Sequence, residues 1–288
     1  MSVLLNGKMI GNRCYPNNER IFDKKDTGIG KFNIITLNYE TDIDITILSI
    51  IVRFLRDEYP QSFNRLIMRY IPYERMDRKI GGYIFSLKYF CQMINELHFD
   101  EVYVMNAHSS VSTALLDRVK EMDISQHIHD VITQQSIDCL FYPDNGAQKR
   151  YSELFTENKG SYINRKISEL PHFFGDKKRD LDTGHILYYN LIEAPDLTDK
   201  NVLIVDDLCS MGYTFLMAAK SLKEAGAKTV SLYVSHCENS VFKGELLTTD
   251  YVNRIFTTYS LSPSSHEKIT LMDWGNLNGN FYDIQERY

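Results

Sequence analysis

The stretch 201–214, NVLIVDDLCSMGYT, decides the fold. Its apolar part at 202–205 is continuously hydrophobic, which predicts a strand that is buried on both faces of a sheet. This strand is followed by Asp206 and Asp207, a short polar loop, and a helix that begins near Thr214. Because helix N-termini favour anions, the junction predicts a phosphate site, with both carboxylates placed to accept hydrogen bonds from vicinal hydroxyls. A helix entry capped by acids is the alternative interpretation of the same residues.

The pattern of an apolar strand followed by a helix recurs along the chain. Further strands are predicted at 32–37, 65–71, 101–106, 137–142 and 229–234. Helical periodicity places one apolar stripe in each of three segments: Ile43, Ile47, Ile50, Ile51 and Phe54 in 43–57, Phe85, Tyr89, Met93 and Leu97 in 83–98, and Phe215, Ala218, Ala219 and Leu222 in 214–225. The alternation predicts an α/β fold in two domains, residues 1–142 and 143–288, each a mainly parallel sheet flanked by helices.

Composition excludes several classes of protein. The 288 residues include 32 Lys and Arg against 38 Asp and Glu, a formal charge of −6, which is unlike the basic face of a nucleic-acid-binding protein. No apolar run approaches the roughly 20 residues that span a bilayer, so we expect a soluble protein with no membrane partner. The five cysteines have no CxxC spacing and fit neither a disulfide framework nor a zinc site, which favours a reducing cytoplasm.

The segment VLIVDDLCSMGYT resembles the ribose-phosphate-binding loop of type I phosphoribosyltransferases and of the related phosphoribosyl pyrophosphate synthetases, the ribose-phosphate diphosphokinases. Further segments resemble the synthetases and not the transferases, and they occur in the family's order. They are YPNNE, IPYERMDRK, VMNAHSS, YPDNGAQKR and KKRD. The resemblance extends from residue 15 to about residue 265, and it implies two tandem phosphoribosyltransferase-like domains of type I.

The resemblance implies a role for individual residues. On the nucleotide side, Tyr15, Asn17 and Glu19 match residues that hold the adenine of ATP across a subunit boundary, and Arg75 and Asp77 match the ATP-binding Arg-x-Asp. His108 matches a catalytic, nucleotide-binding and metal-site histidine, and Asp144 matches an acid near the ribose and the metal. Lys177 and Arg179 match the Lys-x-Arg of the catalytic loop. A residue that reaches a neighbour's adenine requires at least a homodimer, with a two-fold interface.

The activity that the resemblance implies is the transfer of the β,γ-diphosphate of ATP to the anomeric hydroxyl of a 5-phosphorylated ribose, with release of AMP. Charge builds on phosphate oxygens in such a transfer, so cations must surround the group. Lys177 and Arg179 can supply a point charge and a planar fork, and Mg²⁺ is the expected cofactor on the triphosphate. The segment 172–184, with glycine on both sides of its charged centre, has the composition of a mobile lid.

The sequence departs from the family where the sugar 5-phosphate binds. The positions expected to bind the ribose and its 5-phosphate, besides the two aspartates, are Ser210, Met211, Gly212, Tyr213 and Thr214. Met211 cannot donate a hydrogen bond to phosphate, and Tyr213 adds bulk where glycine permits close approach. We therefore slightly favour ADP-ribose as the acceptor, with its adenosine stacked on Tyr213, over ordinary ribose 5-phosphate.

Two other functions compete with this hypothesis. A phosphoribosyltransferase would keep the Asp206 and Asp207 loop, but it has no reason to keep Arg75, His108 and the Lys177-x-Arg179 segment together. A catalytically silent regulatory subunit would keep the fold without turnover, because a fold does not guarantee activity.

Overall fold

The computed structural model describes residues 3–25, 27–157, 161–179, 186–261 and 263–273, and the side chains at 156, 157, 177–179 and 186–188 lie outside the described part. The chain divides into two compact units between Met122 and Asp123. The division expected from the sequence lies further along, after residue 142. The segment up to Tyr142 groups with the second unit because Cys139–Tyr142 pairs with two strands of the second sheet.

The first unit is a mainly parallel sheet with helices. Its elements are β1 (Val3–Leu5), β2 (Lys8–Met9), β3 (Arg13–Cys14), β4 (Arg20–Ile21), β5 (Phe32–Leu37), α1 (Asp42–Glu58), β6 (Phe63–Met68), α2 (Ser86–Asn95), β7 (Glu101–Met105), α3 (Ser110–Leu115) and β8 (Val119–Met122). The strand order is β2-β1-β5-β6-β7-β8, with β5 to β8 parallel and β1 antiparallel to its neighbours, while β3 and β4 form a separate hairpin.

The second unit contains a larger sheet of the same kind. Its elements are α4 (Ser125–Gln135), β9 (Cys139–Tyr142), α5 (Asn145–Glu157), α6 (Tyr162–Ser168), β10 (His172–Arg179), β11 (Ile186–Ile192), β12 (Asn201–Cys209), α7 (Tyr213–Glu224), β13 (Thr229–Cys237), a 3-10 turn (Asn239–Lys243), β14 (Arg254–Thr258) and β15 (Ile269–Met272). The order is β11-β10-β9-β12-β13-β14-β15, and only the β10–β11 pair is antiparallel.

The predicted strands and the parallel α/β architecture are confirmed. Each predicted strand overlaps one of β5, β6, β7, β9, β12 and β13. Strand β12 differs in length, because it continues through Asp206 and Asp207 to Cys209 and remains paired with β13 up to that residue. The two aspartates are therefore held by the sheet itself and not by a loop.

The predicted apolar face is confirmed for α7 and only partly for the segments of α1 and α2, where Ile47, Ile51 and Leu97 are buried as expected. Helix α7 buries the expected Phe215, Ala218, Ala219 and Leu222. Helix α1 instead buries Asp44, Ile47, Leu48, Ile51, Val52 and Leu55, and helix α2 buries Leu87, Phe90, Cys91 and Ile94. Tyr89 and Met93, which were expected in the core, are 55% and 45% exposed. Both helices carry apolar side chains on more than one face, so periodicity alone does not define the buried one.

The described part of the expected lid is a strand, with a register shift in its pairing with β11 between Lys178 and Arg179. Residues 172–179 form β10, which pairs with β9 on one side and with β11 on the other, and residues 180–184 lie outside the described part. Among the described residues, no helix combines the length and the apolar character needed to cross a bilayer.

Candidate active site

The carboxylates of Asp206 and Asp207 are clamped by one guanidinium. Nη2 of Arg150, on helix α5, lies 3.3 Å from Oδ1 of Asp206 and 3.3 Å from Oδ1 of Asp207. The Arg150 guanidinium also stacks on the ring of Tyr151, with its central carbon 4.8 Å from the ring centroid. Asp207 is buried and Asp206 is partly buried, so the sheet end holds two carboxylates and one cation with little contact with water.

The proximity of the two carboxylates controls their charge. Burial and the neighbouring charge of Asp207 together raise the pKa of Asp206 well above its ordinary value, although Arg150 opposes the change. A second cation or a set of hydroxyl donors at this point would favour the fully ionised pair. The arrangement therefore suits a ligand that brings hydroxyl groups, a metal ion, or both.

The loop after β12 leads directly into a helix. Gly212 has φ +81°, a left-handed conformation that favours glycine, and α7 begins at the next residue. Met211 and Tyr213 are 51% and 42% exposed. Of the expected ribose-phosphate residues, Ser210 to Gly212 thus form the turn between β12 and α7, and Tyr213 and Thr214 are the first two residues of the helix.

Segment 238–246 packs against this turn. A Cβ built on Gly212 would lie 2.6 Å from the side chain of Leu246, and one on Gly244 would overlap the carbonyl oxygen of Met211. Ser210 Oγ lies 3.0 Å from Ser240 Oγ in the same segment. The conformation of the loop is therefore set by a partner that is distant in sequence.

Asp144 lies at the exit of β9, next to a pocket of the second unit. The pocket has a volume of about 500 Å³ and is lined by Asp144, Asn145, Gly146, Phe174, Gly175, Asp176 and Ile192. Asp144 Oδ1 accepts the backbone N–H of Ala147 (3.0 Å) in the first turn of α5. Asp144 therefore orients the helix that carries Arg150. The backbone of Lys177 and Arg179 continues along β10 from this pocket, while both side chains lie outside the described part.

In the first unit, Asp77 is buried and pairs with its neighbour Arg78. Arg78 Nε donates to Asp77 Oδ1 (2.8 Å), and this hydrogen bond lowers the pKa of the Asp77 carboxyl. Asp77 thus stays ionised at neutral pH. Arg75 is exposed.

The loop that carries His108 is held by two acidic side chains. Glu74 Oε2 accepts the backbone N–H of His108 (3.1 Å), and Glu121 Oε1 accepts that of Ala107 (2.7 Å). Asn106, directly after β7, has φ +40° and turns the chain. The His108 side chain is exposed. The structure therefore brings His108, Glu74 and the start of the Arg75-x-Asp77 segment to one strand exit.

Tyr15, Asn17 and Glu19 form the tip of the β3–β4 hairpin. The N–H of Tyr15 donates to the carbonyl of Glu19 (2.9 Å), and the N–H of Glu19 donates to Asn17 Oδ1 (3.2 Å). All three residues are exposed, and Tyr15 is 57% exposed. The Asn17 side chain therefore stabilises the turn while the aromatic ring of Tyr15 faces solvent.

Three residues at these exits were missed by the sequence reasoning. They are Arg150, Glu74 and Glu121. Arg150 and Glu74 lie inside the segments YPDNGAQKR and IPYERMDRK. Their partners are distant in sequence, so the spacing of residues along the chain does not indicate these contacts. Across the described residues, no three His, Cys, Asp or Glu side chains gather as a metal cage.

Known proteins are similar to this chain both around β12 and over most of its length. The profile described as "Phosphoribosyl transferase domain" matches residues 151–257, which include β12 and its exit. Curated ribose-phosphate pyrophosphokinases are similar to the chain: one from Sulfurisphaera tokodaii is 29% identical over 72% of this chain and 68% of its own length, and one from Thermoplasma volcanium is 26% identical over 88% and 87%.

The fold of a solved structure is also similar over most of the chain. A phosphoribosylpyrophosphate synthetase from Mycobacterium smegmatis superposes with a TM-score of 0.69 at 18% identity, covering 90% of this chain and 84% of that one. A match over 90% of the chain includes most of both units and supports two phosphoribosyltransferase-like domains in this protein. The domain profile thus includes the exit of β12, and the chain is similar to ribose-phosphate pyrophosphokinases and to a phosphoribosylpyrophosphate synthetase through both units.

Proposed function

We propose that the protein transfers the β,γ-diphosphate of ATP to the anomeric hydroxyl of a 5-phosphorylated ribose and releases AMP. The observation that carries this proposal is the exit of β12, where Asp206 and Asp207 are clamped by Arg150 next to the N-terminus of α7. Two fixed carboxylates can accept hydrogen bonds from the 2- and 3-hydroxyls of a ribose, and the helix start can meet its 5-phosphate.

The donor nucleotide is assigned to the first unit. Arg75, Asp77 and His108 lie near the exit of β7 and the loop before α2, and we assign the exposed Arg75 and His108 to the phosphates. Tyr15, Asn17 and Glu19 offer an exposed aromatic ring, an amide and a carboxylate at a hairpin tip, which suits the adenine of a neighbouring subunit. A homodimer is then the smallest active assembly.

The reaction itself requires little covalent participation by the protein. The anomeric oxygen bonds to the β-phosphorus, the bond from that phosphorus to the α,β-bridging oxygen breaks, AMP leaves with the electron pair, and the hydroxyl proton passes to solvent. Lys177 and Arg179, on the strand that leaves the Asp144 pocket, are assigned to the transferring group, where fixed positive charge stabilises the transition state.

Magnesium suits the donor atoms of the second unit. Asp144, Asp206 and Asp207 provide the carboxylate oxygens that Mg²⁺ prefers, and the ion commonly takes one or two such ligands together with substrate phosphates instead of a protein cage. When bound, Mg²⁺ would neutralise part of the triphosphate charge. The raised pKa of Asp206 supports this assignment because a nearby cation would restore its ionised form.

For the acceptor we favour ADP-ribose over ribose 5-phosphate. Met211 offers no side-chain donor to a terminal phosphate, and the exposed ring of Tyr213 offers a stacking surface for a distal adenine. The curated relatives are named for ribose phosphate, so ribose 5-phosphate is the alternative acceptor. We place the enzyme in a reducing cytoplasm, since its five cysteines are free thiols and four of them are buried.

The assay is AMP release from ATP and Mg²⁺ with either acceptor, with the product identified by phosphorus NMR. The proposal expects a diphosphate that stays intact on the anomeric oxygen, and faster turnover with ADP-ribose. Equal or better turnover of ribose 5-phosphate would end the acceptor proposal alone. A phosphoribosyltransferase would instead release pyrophosphate from the activated ribose without ATP, and a silent subunit would give no product.

Lys177→Ala tests the catalytic strand. The variant should still bind ATP and lose most diphosphate transfer, about 10²–10³-fold in kcat, because a fixed charge at the transferring group is removed. The neighbouring Lys178→Ala is the matched control and should retain turnover. Unchanged turnover in Lys177→Ala would remove the assignment of Lys177.

A further inference from the structure

We propose that Glu238 is a specificity-determining positioning residue of the acceptor site. Through Ser240 it fixes the direction of the Ser210 hydroxyl, so that the start of the acceptor loop accepts a hydrogen bond from the ligand instead of donating one. This inference rests on the proposed function, and it concerns the chemistry of the acceptor beyond the ribose 5-oxygen.

The side chains of Glu238, Ser240 and Ser210 form a relay of two consecutive hydrogen bonds. Ser240 Oγ donates to Glu238 Oε2 at 2.9 Å, and Ser210 Oγ lies 3.0 Å from Ser240 Oγ. All three residues are partly buried. The relay thus links a carboxylate on segment 238–246 to the first hydroxyl of the loop that enters α7.

The direction of the relay follows from proton counting. Ser240 Oγ is the donor in its hydrogen bond to Glu238 Oε2, so the Ser240 proton points to Glu238. A hydroxyl has a single proton, so Ser240 must accept from Ser210 at their shared contact. The Ser210 proton is therefore directed away from the ligand side, and what Ser210 offers to a ligand is a lone pair.

The rest of the structure holds this relay in place. The backbone N–H of Glu238 donates to the carbonyl of Cys209 at 2.9 Å, immediately before Ser210. Asn239 Oδ1 accepts the N–H (2.8 Å) and the hydroxyl (3.0 Å) of Ser264. Close packing of Gly244 on Met211 fixes the same segment further along. The relay geometry is thus imposed from both sides and does not depend on one flexible side chain.

An acceptor-type hydroxyl backed by a carboxylate discriminates between ligands. A phosphate monoester carries about 1.5 to 2 negative charges at neutral pH and has only acceptor oxygens to offer, so it meets a lone pair and a like charge. A diphosphate diester carries less charge on each phosphate, and its distal nucleoside brings hydroxyl and amino donors. The relay therefore favours an extended, nucleoside-bearing acceptor over one that ends in a phosphate monoester.

Glu238→Gln tests the direction of the relay directly. The amide keeps the size of the side chain, removes the charge, and can donate to Ser240, which would release the Ser210 proton toward a ligand. We expect a decrease of about tenfold in KM for ribose 5-phosphate with little change in kcat, and an unchanged or higher KM for ADP-ribose, since one hydrogen bond to a charged group and one repulsion change. Ser240→Ala should shift the ratio in the same direction. Glu245→Gln, which removes an exposed carboxylate seven positions further along, should leave both values unchanged.

Calorimetric titration of ribose 5-phosphate into the full-length protein measures acceptor binding independently of turnover. Tighter binding to Glu238→Gln than to the wild-type protein and to Glu245→Gln supports the relay. Equal binding by all three, or equal shifts for both acceptors, overturns it. If wild-type protein releases no AMP with any acceptor while the titration shows the expected order, the proposed function fails and the relay stands.

Discussion

Two strand exits, one in each unit, have opposite arrangements of charge. At the exit of β7, the carboxylates of Glu74 and Glu121 lie beneath the loop and accept the backbone N–H groups of His108 and Ala107. At the exit of β12, two carboxylates belong to the strand and the guanidinium of Arg150 lies beneath them. One exit thus presents a basic side chain over acids, and the other presents acids over a base.

The difference is consistent with the proposal that the two sheets bind different partners. An exit that carries His108 and lies near Arg75 offers positive charge and donors, which suits nucleotide phosphates. An exit that carries two aspartates offers acceptors, which suits sugar hydroxyls and a divalent cation. The helper residues are of opposite sign in each case, because a buried charge is stable only when it is paired.

The largest effect is expected from Asp207→Asn, which removes the negative charge of one of the two carboxylates at the β12 exit. Loss of a buried, charged acceptor for sugar hydroxyls should reduce kcat/KM for the acceptor by about 10²–10³-fold. Steady-state kinetics with varied acceptor at saturating ATP measure this effect. The exposed Asp250→Asn should behave as wild type; a similar loss in both variants would refute a specific role.

Arg150→Met removes the base beneath the two acids and should have the next largest effect. Without the guanidinium, the pKa of Asp206 rises further, because Arg150 is the group that opposes its rise. We expect a loss of about 10–10²-fold in kcat/KM at neutral pH, which becomes smaller as the pH is raised and Asp206 ionises. A pH profile of kcat/KM that keeps the wild-type acid limb would contradict this account.

Glu74→Gln weakens the corresponding support at the β7 exit. The neutral amide is a poorer acceptor for the His108 N–H, so the loop should loosen and the KM for ATP should increase by about fivefold, with the acceptor KM unchanged. Glu58→Gln, an exposed change at the end of α1, is the control. A larger effect on the acceptor than on ATP would break the proposed division of labour.

The smallest expected effect is a pair of stability changes of opposite sign. The pKa of Asp206 is raised, so its contribution to stability is complete below its ordinary pKa and is lost as the pH rises through the raised value. At neutral pH, Asp206→Asn should therefore increase the free energy of unfolding of the apo protein, by about 1 kcal/mol. This gain should vanish on acidification.

Asp77 has a lowered pKa, so its contribution is complete above its ordinary pKa and is lost as the pH falls through the lowered value. Asp77→Asn should accordingly destabilise the protein at neutral pH, by about 0.5–1 kcal/mol, since its partner Arg78 is largely exposed. Thermal unfolding of both variants across pH measures the two signs. Shifts of the same sign at neutral pH would show that the two carboxylates do not differ as described.

Sequence patterns predicted the positions of strands and helices better than they predicted which face of a helix is buried. Helix α7 follows a buried strand and has small side chains at Ala218 and Ala219, so only one of its faces can pack closely, and its stripe was predicted correctly. Helices α1 and α2 carry apolar residues around much of their circumference, and the neighbouring elements selected which residues were buried. In α1, the capping box with Thr41 also holds Asp44 toward the interior.

Local periodicity and short motifs were sufficient to predict the order of strands and helices and the segments at the strand exits. The residues that support those exits became identifiable only in the folded protein. Arg150 reaches Asp206 across 56 positions and Ser240 reaches Ser210 across 30, and such contacts exist only after the sheet has formed. The charge of the aspartate pair and the direction of the Ser210 hydroxyl are properties of those contacts, so no local pattern contains them.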